Sequence, residues 1–165
     1  MLSLRQPIGS SLTLTCLLLV GCGSTETVVK PIEKTPSVVS RFHLDPIEDH
    51  TGQSIPKHFV GELNDYLESD LTKQKLLAAE SDPAPRVHIE LTSYRMRSGF
   101  NRAFFGVMAG KDGIESKVTV LDGATGRVLG ESNVSSFNAS AIGNDDDVAR
   151  MHAEEITKFL AGEKK

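Results

Sequence analysis

Hydrophobic residues recur at intervals of three and four along two stretches of the chain, and this spacing predicts two amphipathic helices. The first helix spans residues 56–73, is capped by Ser54, and has an apolar face made of Phe59, Val60, Leu63, Leu67 and Leu71. The second helix opens at Asn144, ends at Gly162, and has an apolar face made of Val148, Met151, Ile156, Phe159 and Leu160. One side of each helix is therefore expected to be buried.

Alternation of apolar and polar residues predicts the strands. They cover residues 38–44, a short stretch from Leu76, and residues 87–96, 114–121 and 128–137. The last two are joined by residues 122–127, a run of turn formers typical of a hairpin. The order β-α-β-β-β-β-α predicts an α+β fold, with two helices on one face of an antiparallel-rich sheet. This single domain is expected to span residues 37–165.

The first 21 residues have the organisation of a processing signal. A polar start with one positive charge, Arg5, precedes an apolar run over residues 12–20. As a helix, this run of about ten residues would be about 15 Å long, half of what a bilayer core requires. It therefore indicates a secretion signal rather than a transmembrane anchor.

The signal ends in Leu-Val-Gly-Cys at residues 19–22, which resembles the bacterial lipobox. The resemblance implies cleavage between Gly21 and Cys22 and attachment of lipid, with palmitate among the acyl groups, to the Cys22 thiol. Two or three acyl chains hold a protein durably on a membrane. Gly23 stands where an Asp would favour inner-membrane retention, so the resemblance implies the outer membrane, with the domain on its periplasmic side. Residues 22–36, polar and with two prolines, are expected to be a lipidated tether without a packed core.

Charge and cysteine usage exclude several classes of function. The formal net charge is −4 and the pI about 5.7, which argues against a nucleic-acid binder. The chain has two cysteines; Cys16 lies in the signal and Cys22 is expected to carry lipid. A mature chain without a free thiol excludes thiol catalysis and cysteine-ligated zinc.

Two further segments resemble those of an uncharacterised family of proteobacterial lipoproteins, in which Asn-Arg-Ala, Gly-Ala-Gly-Lys and Asp-x-x-Thr-Gly-x-Val-Leu runs recur in this order. The corresponding segments here are residues 100–111 and 121–129, and the resemblance covers residues 37–162. It implies a shape similar to the amino-terminal domain of the periplasmic Tol protein, the curli-secretion lipoprotein and the lipoprotein activator of penicillin-binding proteins. A similar fold does not by itself imply a similar function.

Three groups of residues suggest ligand chemistry, and each has a plainer interpretation. One loop carries a set of potential metal ligands, namely Asp45, Glu48, Asp49 and His50. Solvated loop charges are the preferred interpretation, so neither a metal nor a cofactor is expected. The three aspartates at 145–147 could bind a hard cation, but carboxylates in a first helical turn more often stabilise the helix. Residues 106–111 lack the spacing of a phosphate-binding loop.

Residues 99–110 lie between two predicted strands and form a longer, more apolar segment than a simple connection between them requires. Seven consecutive apolar residues, 103–109, lie between glycines. Two interpretations stay open: a hairpin folded onto its own sheet, or an exposed lobe that docks a partner, another copy or the membrane surface. The residues that would form this lobe are Phe100, Arg102, Phe104, Phe105, Met108 and Lys111.

The sequence offers neither an activated nucleophile nor an acid–base pair, so the protein is not expected to be an enzyme. The leading hypothesis is an outer-membrane lipoprotein whose periplasm-facing domain serves protein–protein interaction or envelope assembly. Its partner would be another envelope protein or a further copy of itself. Two alternatives remain: an envelope enzyme or small-ligand binder that uses Arg95, Arg97 and Arg102, and a structural lipoprotein that responds to envelope stress.

Overall fold

The computed structural model describes residues 22–33, 41–96, 112–138 and 145–163. Three strands precede the first helix: β1 (Cys22–Lys30), β2 (His43–Leu44) and β3 (Glu48–Asp49). Helix α1 (Lys57–Lys73) follows, and then β4 (Arg86–Arg95), β5 (Asp112–Leu121), β6 (Val128–Asn138) and helix α2 (Asp145–Ala161). In this part of the chain, neither helix is long and apolar enough to span a bilayer.

The described strands form one mixed sheet of six strands. Its order is β1-β6-β5-β4-β2, and β3 also pairs with β4. The four long strands are antiparallel to one another where they pair, whereas the two short strands β2 and β3 run parallel to β4. The predicted α+β class and single domain are confirmed.

The hydrophobic core lies between the sheet and the two helices. Alternate residues of β4 and β5 point into it, as Val87, Ile89 and Val118 show with no exposed surface. The four buried residues of α1 (Phe59, Leu63, Leu67 and Leu71) repeat at intervals of four and face the same core. Burying one such side chain contributes about 1.5–3 kcal/mol, so this spacing holds the helix in place.

The amino-terminal segment differs from its prediction. Residues Cys22–Lys30 form β1, which pairs with β6 from Cys22 opposite Asn138 to Lys30 opposite Glu131. Beyond β1, Ile32 packs against Gly130, where a Cβ would lie only 2.7 Å from Ile32 Cγ1. The prediction of a tether without a packed core is therefore wrong for residues 22–33. The Thr and Val residues of this segment favour extended structure, and β6 offers an edge for them to join.

Smaller differences concern the ends of the other elements. The first helix forms as predicted, but its N-cap residue is Pro56 and no side chain caps it, so the Ser54 cap is wrong. The strand predicted from Leu76 is reduced to a single parallel bridge between Phe42 and Leu77. β3 was not predicted, which changes the element order. The second helix ends as predicted before Gly162, whose φ of 70° suits a residue without a Cβ.

Candidate functional site

Two histidines and two glutamates meet on the outward face of the sheet. We call Glu48, His50, His88 and Glu90 the His–Glu cluster. His88 and Glu90 lie two residues apart on β4 and so share the face opposite the core. Glu48 reaches the same face because β3 pairs with β4 in a register that sets it opposite Glu90. Every member is partly exposed to solvent.

Backbone hydrogen bonds fix the loop that brings Glu48 and His50 to β4. The Asp45 amide donates to the Val87 carbonyl at 3.0 Å, and the His50 amide donates to the Leu91 carbonyl at 2.9 Å. The loop over residues 45–50 is thus attached to β4 at both of its ends.

The side-chain atoms of the His–Glu cluster lie close together. Glu48 Oε2 is 3.0 Å from His50 Nε2 and 3.7 Å from His88 Nε2. Glu90 Oε1 is 3.7 Å from His50 Nδ1 and 3.9 Å from His88 Nε2. One ligand atom from each of Glu48, His50 and Glu90 falls within 4.8 Å of the others, a spacing compatible with a shared metal ion.

The four potential metal ligands of the loop over residues 45–50 do not act together in the structure. Asp49 accepts hydrogen bonds from the amide and the hydroxyl of Thr51, at 3.0 and 2.7 Å, and these bonds lower the pKa of its carboxyl. Asp45 pairs with Arg86. Glu48 and His50 instead join His88 and Glu90, two residues that the sequence analysis did not connect with the loop.

A second group of polar side chains is buried in the core. His152 of α2 has no exposed surface. Its Nε2 lies 2.8 Å from Ser116 Oγ on β5, and its Nδ1 lies 3.0 Å from Ser136 Oγ on β6. The chain continues from Ser136 Oγ to Ser24 Oγ on β1 at 2.9 Å. We call these four residues the buried serine–histidine network; it connects three strands to α2.

The hydrogen bonds of this network have a consistent direction. Ser24 donates to the Met151 carbonyl at 3.4 Å, since a carbonyl only accepts. Ser136 can then donate to Ser24 and accept from His152 Nδ1, which leaves Nε2 to accept from Ser116. Loss of solvent lowers the pKa of His152 to about 3, although the charge of Glu155 acts in the opposite direction. The imidazole is therefore neutral, as this direction requires.

Two of the three aspartates in the first turn of α2 contact α1. Asp145 accepts a hydrogen bond from His58 at 3.0 Å, which lowers the pKa of its carboxyl. The hydroxyl of Tyr66, on α1, donates to Asp146 at 2.6 Å. The third carboxylate, on Asp147, lies 3.3 Å from Arg150. All three lie in the first turn of α2, where negative charge stabilises a helix, as the preferred interpretation expected.

Cys22, the predicted lipidation site, is the first residue of β1. It lies opposite Asn138, which in turn lies opposite Asp112. The preceding Gly21 lies outside the described residues, and so do all residues of the predicted lobe: Phe100, Arg102, Phe104, Phe105, Met108 and Lys111. The strand ends that flank the lobe are described. Arg95 lies opposite Gly113, so both ends lie at the same end of the sheet as Cys22.

β1 forms one lateral edge of the sheet. In the described part of the chain, no strand pairs with its outer side. Among the described residues, the large hydrophobic side chains that are exposed also lie here: Val28 is 46% exposed and Val29 is 55% exposed. An open strand edge with apolar side chains is a template on which another strand can pair.

Comparison with protein families decides where the chain belongs. Residues 37–141 match a family described as a domain of unknown function, DUF4410. The chain belongs to the DUF4410 family. This confirms an uncharacterised family, whereas the expected likeness to the Tol domain, the curli-secretion lipoprotein and the penicillin-binding-protein activator stays a prediction. No curated protein matches this DUF4410 chain.

Solved structures show a similar fold at low sequence identity. A point variant of PelC from Paraburkholderia phytofirmans, solved as a dodecamer, is 11% identical with a TM-score of 0.57. A second PelC dodecamer from that organism is 10% identical with a TM-score of 0.55; both matches cover 86% of this chain and all of PelC. A Caulobacter crescentus protein described provisionally as a lipoprotein is 16% identical, covers 70% of this chain and 88% of its own, and has a TM-score of 0.41. At these identities the PelC structures show that the fold is similar and show nothing about function. The third match, with its lower TM-score, is too weak to show a shared fold.

Proposed function

We propose that this DUF4410 protein is an outer-membrane lipoprotein, anchored through Cys22, whose periplasmic domain acts without catalysis by binding further copies of itself. The observation that carries the proposal is the position of β1. This strand begins at the predicted lipidation site and, among the strands that the structure describes, forms an open edge of the sheet. One segment would thus join the membrane anchor directly to a surface for association.

The anchor is inferred from the lipobox-like residues 19–22. Because β1 starts at Cys22, lipid on this residue would hold one end of the sheet against the headgroups. The strand ends that flank residues 97–111 lie at that same end, which supports a membrane contact for the predicted lobe. Each buried methylene contributes about 0.8 kcal/mol to membrane binding.

The mode of association follows from the edge of β1. A strand added to an open edge gains main-chain hydrogen bonds, and exposed side chains beside the edge give specificity. Burial of Val28 and Val29 would add a hydrophobic contribution. A second copy is the proposed occupant because PelC, which has a similar fold, is solved as a dodecamer. The number of copies is a property of PelC and is not carried over.

The experiment measures the mass of the full-length protein, extracted in a mild detergent, over a range of concentrations. We expect oligomers for the wild type and a strong shift to monomer for Val28→Lys, because a charge at an edge opposes strand pairing. Asn133→Lys is the matched control: it adds the same charge at an exposed position of β6, which is already paired on both sides and therefore has no open edge. A monomeric wild type, or equal oligomers in Val28→Lys, would contradict self-association through β1.

The anchor is tested separately in cells supplied with labelled palmitate. The label should enter the wild-type protein and be absent from Cys22→Ala. Label that persists in Cys22→Ala would refute lipidation at this residue without bearing on association through β1.

A further inference from the structure

We infer that the His–Glu cluster is a binding site for a divalent transition-metal ion, with zinc as the best match. The inference is independent of the proposed function, because the cluster lies on the outward face of β3 and β4, at the opposite side of the sheet from β1.

The spacing of the donor atoms supports this site. Zinc binds imidazole nitrogen and carboxylate oxygen at about 2.0–2.2 Å, so two ligands of a tetrahedral site lie about 3.3–3.5 Å apart. An imidazole gives one ion a single nitrogen, and His88 Nε2 lies 3.7 Å from Glu48 Oε2 and 3.9 Å from Glu90 Oε1. His50 Nε2 lies 3.0 Å from Glu48 Oε2, whereas its other nitrogen, Nδ1, faces Glu90 Oε1 at 3.7 Å. Small movements of partly exposed side chains would bring the four residues into ligand positions around one ion.

The charges around the cluster favour a cation. Glu48 and Glu90 place two carboxylates close together, and a carboxylate pair at such a distance is repulsive. The neighbouring cations are engaged elsewhere: Lys117, opposite Glu90 in the sheet, pairs with Glu131 at 3.3 Å, and Arg86 pairs with Asp45. A divalent ion would balance the two carboxylates, while the imidazoles of His50 and His88 would supply nitrogen ligands.

The carboxylate of Asp45 lies 4.0 Å from His88 Nδ1, on the side of the ring away from Glu48 and Glu90. This distance is too long for a hydrogen bond, but the negative charge favours a proton on Nδ1, which leaves the Nε2 lone pair for the ion. Nitrogen together with oxygen ligands selects zinc and related ions over calcium or magnesium, which prefer oxygen alone.

The test is calorimetric titration of zinc into the full-length protein in detergent, after removal of metal with a chelator. We expect one zinc ion per chain, and an excess of magnesium should not displace it. His50→Ala and Glu90→Gln should each weaken the affinity by more than about ten-fold, since each removes one ligand. Cobalt in place of zinc should give the visible absorption of a tetrahedral nitrogen–oxygen site.

His58→Ala is the matched control. His58 is an exposed histidine that also lies beside a carboxylate, Asp145, but away from the cluster. Its removal should leave the zinc affinity unchanged. The inference is overturned if the wild type binds no zinc, or if His50→Ala and Glu90→Gln bind it as tightly as the wild type. It is also overturned if His58→Ala abolishes binding. Circular dichroism of each variant establishes that the fold is retained.

Discussion

The molecule contains two groups of histidines with opposite surroundings. In the buried serine–histidine network, His152 is enclosed by the core, and its two ring nitrogens meet neutral hydroxyls. In the His–Glu cluster, His50 and His88 lie at the surface among carboxylates. Both groups connect strands that are distant in sequence, but they use different interactions to do so.

The difference shows that burial and partners, rather than residue type, determine what a histidine does. A serine beside a histidine is the combination used by many hydrolases, yet in this protein the pair is enclosed in the core. The imidazole that is enclosed stays neutral and holds strands to a helix. The two imidazoles at the surface lie among carboxylates, within reach of ions in the solvent. Stability should therefore depend on the first group, and ligand binding on the second.

The largest expected effect comes from His152→Ala. The substitution leaves a cavity in the core and removes the hydrogen-bond partner of Ser116 and Ser136, so we expect a loss of about 3–5 kcal/mol in the free energy of unfolding. Urea unfolding followed by circular dichroism measures it. His58→Ala, at an exposed position, should change the same quantity by less than about 1 kcal/mol. Equal effects of the two substitutions would contradict the structural role of the network.

A pH dependence of stability should follow from the neutral state of His152. Its pKa is about 3 in the folded protein against 6.5 in an ordinary environment. Below about pH 6.5 the unfolded chain therefore binds a proton that the folded chain does not, and stability falls by about 1.4 kcal/mol per pH unit. Above about pH 6.5 the contribution of His152 to the free energy of unfolding no longer changes with pH. Asp49 and Asp145, whose pKa values are lowered, lose their contributions only under more acidic conditions.

Urea unfolding at intervals between pH 7 and pH 4.5 tests this dependence. His152→Gln keeps a hydrogen-bonding side chain without a titratable group, so the decline should flatten by about 1.4 kcal/mol per pH unit in this variant. A decline of the same slope in His152→Gln would mean that another group takes up the proton.

The helices could be predicted from sequence because their buried faces repeat at helical spacing over more than three turns. β1 could not be predicted in this way. Its helix-side positions include Ser24 and Glu26, which lie opposite Ser136 and Val134, and they produce no alternation of hydrophobic and polar residues. This strand is held by its pairing with β6, a partner more than a hundred residues away. Pairing between strands so far apart in the sequence cannot be recognised from the local alternation of hydrophobic and polar residues.

The two histidine groups also differ in how far they could be predicted from the sequence. His152 stands four residues after Val148 and four before Ile156, on the buried face of α2, so its burial could have been predicted. The His–Glu cluster depends on the parallel pairing of β3 with β4, and a whole helix separates these strands in sequence. His88 and Glu90 at alternate positions of one strand were the available sign of a shared polar face. Nothing in the sequence indicated that Glu48 would lie beside them.

The smallest expected effect is that of Glu48→Gln in the metal-free protein. About half of the Glu48 side chain is exposed, and its loss relieves repulsion with Glu90, so the free energy of unfolding should change by less than about 0.5 kcal/mol. Zinc should raise the melting temperature of the wild type, because a ligand of the folded state stabilises it, but should raise that of Glu48→Gln less. A loss above about 1 kcal/mol without zinc would mean that Glu48 itself holds the loop through His50. The cluster would then stabilise the fold as the buried network does, and the contrast between the two histidine groups would fail.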